Sequence, residues 1–239
     1  MTLDDLKKEI QIHSDGYKFV AIFALITILL FMINEEIGFL GLTLTAWCYY
    51  FFRNPERLIP SDKNLIVSPA DGKVVIVKKV TPPKEYGLEG DRWRISVFLN
   101  VFDVHVNRLS VGGTVKGVHY HKGQFLNASF DKASDLNERN TVVIDMENNK
   151  DIAITQIAGL VARRIRCDIK KGDVVSKGDV YGLIRFGSRA DIFLPMGATP
   201  NVIVGQRMIS GESVLSNLKY EQENLKYEEE SEKDLKNKA

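Results

Sequence analysis

The chain has 239 residues, 44% of them hydrophobic, and a formal net charge of +1 at pH 7. That length and apolar content suit one globular domain with appendages, and the near-neutral balance gives no bulk electrostatic case for a nucleic-acid partner. Two cysteines, Cys48 and Cys167, stand in segments of different character with no CxxC spacing, which argues against a disulfide framework or a zinc site.

Residues 1–16 are polar and mildly amphipathic. Two apolar runs follow, YKFVAIFALITILLFMI (17–33) and IGFLGLTLTAWCYYFF (37–52), split by Asn34, Glu35 and Glu36. Each is short for a membrane-spanning helix, which takes about 20 residues. Both are apolar all round, which fits a core helix poorly. The expectation is a membrane-associating helical hairpin over 17–52, either two thin spans or a loop dipping into one leaflet. Lys7, Lys8 and Lys18 precede the pair, while Arg53 and Arg57 follow it. This bias puts both termini, and whatever follows the hairpin, on the cytoplasmic side of a cell membrane.

After residue 53 the texture changes to short β-runs between turn signals, up to about residue 218. Asp71-Gly72 between apolar runs predicts a hairpin. A second hairpin is expected to turn at ENNKD (147–151), and a helix in GQFLNASFDKASDLNE (123–138). Two Lys-Gly-Asp turns (171–173 and 177–179) resemble those of carrier-type β-sandwiches. The expected fold class is mainly β: a sandwich- or barrel-like catalytic domain with minor helix over 53–218, preceded by the apolar hairpin. The tail, 219–239, is densely charged and poor in core residues, as disordered segments are.

No glycine-rich nucleotide loop is present. His119 and His121 would share one strand face, but without a neighbouring carboxylate they make a weak metal site, and no metal is expected. What stands out is an ordered set of short motifs: SPADGKV (68–74), FDVHVNRL (102–109), HKGQFLNA (121–128), NERN (137–140), AGLVARRI (158–165) and RFGSRADIFLP (185–195). Any one of them is weak.

Together with the twin apolar runs and FFRNPER (51–57), the ordered set resembles the short form of the phosphatidylserine decarboxylase family over roughly residues 17–216. The resemblance implies a proenzyme in which the Ser188 hydroxyl attacks the carbonyl carbon of Gly187. The amide becomes an ester, β-elimination breaks the chain, and residue 188 becomes a pyruvoyl group. That covalent cofactor would form a Schiff base with phosphatidylserine and drive its decarboxylation to phosphatidylethanolamine, a step of phospholipid biosynthesis. The two chains, 1–187 and 188–239, would remain together as a heterodimer that could assemble further.

The residue types suit such chemistry. Only a β-hydroxy or β-thiol side chain can make the acyl shift and then lose its heteroatom, and a preceding glycine lets the backbone bend. A serine hydroxyl needs a base and an oxyanion donor. By resemblance Asp71 belongs to the charge relay of self-cleavage and His105 serves decarboxylation; otherwise Asp71 is a turn former and His105 a half-buried strand residue. Where the long form has its self-cleavage histidine stands Arg108, which cannot act as a base. Either His105 does both jobs, or His119 or His121 supplies the base. Arg108, Arg139, Arg163 and Arg164 could bind the lipid phosphate or the substrate carboxylate, or make structural ion pairs. Two other functions fit less well: a membrane-tethered β-sandwich that binds or carries without catalysis, and a pyruvoyl decarboxylase of a soluble amino acid, for which the apolar runs have no use.

Overall fold

A computed structural model of the chain describes residues 11–131, 133–146, 150–160, 164–185 and 187–219. The expectations for the charged tail and for Phe186 and Arg163 fall outside these residues, apart from Lys219.

The apolar runs form two helices, α1 (Ser14–Ile33) and α2 (Glu35–Phe51). Asn34 separates them because its side chain accepts hydrogen bonds from Glu36 N (2.8 Å) and Ile37 N (3.3 Å), which caps α2. The helices pair antiparallel. Phe31 meets Phe39 edge-on near the tip, Thr27 and Thr45 share a hydroxyl hydrogen bond of 2.8 Å, and Phe19 stacks on Phe52 near the root. Away from the root the hairpin is apolar and bare: Leu25, Ile28, Met32, Phe39 and Leu40 are all exposed. By length and composition α1 could cross a membrane; at 20 residues it is about 30 Å long.

The remainder is built of β-strands. The main sheet has eight strands in the order β12-β2-β3-β11-β7-β6-β5-β9. These are β2 (Gly72–Val80), β3 (Arg92–Leu99), β5 (Gly113–His121), β6 (Arg139–Met146), β7 (Lys150–Ile157), β9 (Val174–Val175), β11 (Ser188–Phe193) and β12 (Arg207–Met208). A three-stranded sheet joins β4 (Val106–Arg108), β10 (Val180–Ile184) and β8 (Ile165–Cys167), and β1 (Leu65–Val67) pairs with β13 (Val214–Asn217). The core lies between the large sheet and the two small ones, where Ile66, Val97, Leu99, Ile144, Tyr181 and Leu215 pack together. The mainly β fold behind an apolar helical hairpin is therefore as the sequence predicts. The strands either side of ENNKD, β6 and β7, pair antiparallel as expected, with Met146 opposite Lys150; residues 147–149 lie outside the described residues. The helix expected in 123–138 is reduced to one turn, α3 (Ala133–Leu136).

The hairpin expected at Asp71-Gly72 does not form. β1 pairs with β13 and β2 with β3, so the chain there passes from one sheet to another. The reason is tertiary. Asp71 accepts from Arg57 and from Ser210 N, and Ser68 N donates to Ser213 O at 2.8 Å, so the local turn partners are engaged elsewhere.

The root of the helical hairpin is part of the β domain's packing. Cys48, Phe51 and Phe52 form one buried cluster with Val104, Val106 and Leu183. The backbone before α1 is tied to that after α2 by His13 N to Phe52 O (2.8 Å) and Asn54 N to Gln11 O (2.6 Å).

Candidate active site

Ser188 opens β11 in the middle of the large sheet. Its partner on β3 is Leu99, the last residue of that strand. Arg189 pairs with Ile157 on the other side, which sets Ser188 beside Ala158. Ala158 N donates to Glu138 O (2.9 Å), just ahead of β6, and β5 ends at His121 opposite Arg139. On the far side, Gly72 sits against the Phe98–Leu99 peptide. The PADG, FGS, AG, NERN and HKG motifs are thus brought to one end of the large sheet, on neighbouring strands about 4.8 Å apart. Sheet pairing, not sequence proximity, makes them neighbours.

Side chains alternate along a strand, so Ser188 and Ala190 face one way and Arg189 and Asp191 the other. Ser188, Leu99, Ala158 and Gln156 share the inner face, against the core. His119 and His121 pair with Thr141 and Arg139, positions of the outer face. There His121 Nε2 lies 2.8 Å from Glu85, and the His119 ring lies against Tyr86. Neither is on the Ser188 side. A cavity of about 300 Å3 lined by Lys78, Arg94, Thr155, Asp191 and Phe193 also lies on the outer face, opposite to the face of the Ser188 hydroxyl.

His105 precedes β4 in the small sheet. Its backbone carbonyl accepts from Ile184 N (3.3 Å), four residues before Ser188, and Ile184 packs on Ala158. Two positions on, Asn107 Oδ1 accepts from Gln156 Nε2 at 2.9 Å, a buried bridge between the sheets. The Ser188 face of the large sheet is therefore the one to which His105 and Asn107 are joined.

The His105 ring is wholly buried. Its Nδ1 lies 2.9 Å from the Asp103 carbonyl, an acceptor, so Nδ1 carries the proton and Nε2 the lone pair. Phe51, the last residue of α2, covers the ring at 4.1 Å between centroids. Burial, reinforced by the charge of Arg53 and opposed by the Asp103 carbonyl, lowers its pKa to about 4. The ring is a neutral acceptor at pH 7. Among the described residues, neither Nε2 of His105 nor Oγ of Ser188 has a hydrogen-bond partner, although both are buried. Buried polar atoms are normally paired.

Gly187 has φ +63°, a left-handed conformation that a side chain resists, and its absent Cβ would meet nothing within 4 Å. This glycine is needed for its backbone. Asp71 is held by both carboxylate oxygens to Arg57 (2.8 and 2.9 Å) and accepts from Ser210 N (2.8 Å). Burial raises its pKa, and the Arg57 charge opposes this only in part. It is one strand beyond Leu99 from Ser188, and its carboxylate partner is Arg57, while the Nδ1 of His105 is taken by a backbone carbonyl.

Arg108 donates to Gly178 O (3.1 Å), Asn54 Oδ1 (2.7 Å) and Pro55 O (3.0 Å), so it clamps the segment that follows α2. Arg139 donates to Asp135 O (2.8 Å). Arg164 is exposed. The Lys-Gly-Asp turns are ordinary local turns, with Asp173 accepting from Lys170 N and Asp179 from Ser176 N. The sequence reading missed Phe51, Asn107, Gln156 and Arg189. Only Arg189 left a signal, as charges at 189 and 191 alternating through an otherwise apolar strand.

A profile of the phosphatidylserine decarboxylase family matches residues 44–216. The chain belongs to the phosphatidylserine decarboxylase family. Similar proteins include a phosphatidylserine decarboxylase proenzyme of Cereibacter sphaeroides, 53% identical over 91% of this chain and 95% of that protein. One of Rhodospirillum rubrum is 54% identical over 87% of this chain and 89% of its own length, and one of Rickettsia akari 48% over 86% and 89%. Within the family's matched span fall all six motifs and the two unpaired atoms at Ser188 and His105. The matched span also takes in the root of the hairpin, from residue 44 to Phe52.

Proposed function

We propose that this chain is a self-processing, pyruvoyl-dependent phosphatidylserine decarboxylase that works at a membrane surface. The observation that carries the reading is the buried, unpartnered hydroxyl of Ser188, next to a glycine held in a left-handed conformation. The Ser96 and Ser110 hydroxyls are buried and unpartnered too, but only Ser188 follows such a glycine, and that pairing suits a nucleophile.

In maturation, His105 Nε2 takes the Ser188 hydroxyl proton as Oγ adds to the Gly187 carbonyl carbon. The C–N bond breaks and leaves an ester between Gly187 and Oγ, with a free amine on residue 188. Removal of the Ser188 Cα proton expels the Gly187 carboxylate. The dehydroalanine left behind takes up water and releases ammonia, which yields the 2-oxoacyl end. Asp71, whose carboxylate Arg57 holds near this sheet end, supports the cleavage geometry electrostatically.

The pyruvoyl carbonyl at position 188 would take up the amine of a serine-headed lipid and accept the electron pair released with CO2. His105 then supplies the proton to carbon from the same nitrogen. The buried ring, closed off by Phe51, keeps bulk water from that transfer. The product is the ethanolamine-headed lipid.

The hairpin supports the membrane part. Its exposed apolar length projects from a root that touches His105, so a bilayer holding the hairpin would lie on the active-site side. The cationic residues at its two ends favour the cytoplasmic face of the cell membrane. A soluble amino acid as substrate leaves that apolar surface without a use.

Intact-mass measurement of the purified chain tests the reading. Two chains should appear, broken between Gly187 and Ser188, the smaller with a blocked N-terminus. Ser188→Ala should remain one chain and be inactive on phosphatidylserine vesicles. Wild-type protein that is fully active and wholly uncut would overturn the proposal.

A further inference from the structure

Two glycines meet at the bond to be broken, and they serve different purposes. Gly187 is required for its positive φ and has open space where a side chain would go. Gly159 is the reverse. Its backbone lies outside the left-handed region, but a Cβ built on it would stand 1.6 Å from the Gly187 carbonyl oxygen and 2.9 Å from the Gly187 carbonyl carbon. No rotation of a side chain relieves that overlap, since both atoms are backbone and both belong to the group that Ser188 attacks. The next neighbour, Ala128 Cβ, is 3.4 Å away.

The Gly159 side of the contact is fixed from behind. Ala158 N donates to Glu138 O (2.9 Å), and Asn137 Nδ2 donates to Ala158 O (2.7 Å) and to Leu126 O (2.8 Å). Asn137 is fully buried. On the other side, Arg189 is anchored at 2.7 Å to Phe130 O and 3.0 Å to Ala128 O, which holds the start of β11. The scissile carbonyl is held between two anchored segments, with its oxygen lying on the bare Cα of Gly159.

We infer that Gly159 is a positioning residue for self-cleavage: its missing side chain is the seat that aims the Gly187 carbonyl at the Ser188 hydroxyl. The inference rests on the self-cleavage reading above. Any side chain at 159 must push the carbonyl off its line of attack, and a displacement of about 1 Å from a reactive geometry costs on the order of 100-fold in rate. The local backbone has no need of a glycine there, because the position lies two residues past Ile157, the end of β7, and its φ is outside the left-handed region.

The test uses the full chain as wild type, Gly159→Ala, Ser188→Ala and the double variant Ser188→Ala/Gly159→Ala. Wild type should mature, and Gly159→Ala should mature on the order of 100-fold more slowly. Hydroxylamine, which cleaves an ester at Gly187–Ser188, should release no chains from the arrested variant, because the acyl shift itself is blocked. The two uncleavable proteins should melt within a few degrees of each other. Maturation of Gly159→Ala at the wild-type rate overturns the inference. So does an arrested variant that hydroxylamine cleaves, since the ester would then have formed. A double variant that fails to fold makes Gly159 a folding requirement and overturns it equally. A wild-type chain that never cleaves would instead refute the self-cleavage reading.

Discussion

Ser188 and Arg189 are adjacent on one strand and equally buried, yet their surroundings are opposites. Both terminal nitrogens of Arg189 donate hydrogen bonds. Nη1 donates to Ala128 O and Phe130 O, Nη2 to Ser134 Oγ and Asp191 Oδ2, and Nε lies 2.8 Å from Asp191 Oδ1. Arg94 and Asp131 extend the network. One residue earlier, on the other face, the hydroxyl of Ser188 and Nε2 of His105 have no partner among the described residues. Arg189 Nε, Arg94 Nε and Asp191 Oδ1 make no well-aligned hydrogen bond among the described residues, so the outer network is held by its ion pairs and by the four bonds of the Arg189 Nη atoms. The outer face clamps the strand, and the inner face carries the unpaired Ser188 hydroxyl.

The contrast can be broken most severely at Ser188. Ser188→Ala should abolish maturation altogether and yet leave the melting temperature unchanged or raised, because an unsatisfied buried hydroxyl costs about 1–3 kcal/mol. A large drop in stability would mean that the hydroxyl has a structural partner. Next, His105→Ala should slow the proton-transfer steps by roughly 10²–10⁴-fold. If maturation stalls, His105 is the base for cleavage; if chains form but phosphatidylserine turnover falls, it serves decarboxylation alone. Normal cleavage with normal turnover would remove it from the mechanism.

Arg189→Met should act in the opposite sense. It leaves the buried Asp191 carboxylate without its nearest charged partner, a loss of about 3–5 kcal/mol. Thermal or urea unfolding in a Ser188→Ala background isolates that loss from cleavage. A cost below about 1 kcal/mol, the range of exposed pairs, would erase the difference between the two faces.

The smallest effect is a shift in pH dependence. With the His105 pKa lowered to about 4, cleavage by a neutral imidazole should be flat from pH 8 to about pH 5 and fall through about pH 4. The unfolded chain takes up this proton near 6.5, so stability from the neutral ring is present above that pH and is lost as pH falls towards 4. Phe51→Ala opens the ring to water and should move the midpoint of cleavage up towards 6.5. An unmoved midpoint would mean that Phe51 does not shield the ring. The same contact bears on removal of residues 1–52. That truncation takes away Phe51 and Phe52 and bares His105, so the hairpin is not separable from the site.

Much of this architecture is legible in the order of residues. The two apolar runs, the turn residues and the period-2 alternation are local properties, and local backbone physics turns them into a hairpin and a set of strands. The motif order pointed to Ser188, Gly187, His105 and Asp71 through the family resemblance that the ordered set carries, which is a property of the sequence alone. Alternation also fixes that Ser188 and Arg189 face opposite ways. It does not say which way is inward. That depends on which strands adjoin, and β11 pairs with β3 and β7 across long stretches of chain. The same long-range pairing sends His119 and His121 to the wrong face, turns the Asp71-Gly72 step into a passage between sheets, engages Asp71 with Arg57 and lays Phe51 over His105. It also brings Gly159 beneath the Gly187 carbonyl, a contact that neither glycine announces in sequence, because the absence of a side chain acquires meaning only from what occupies its place.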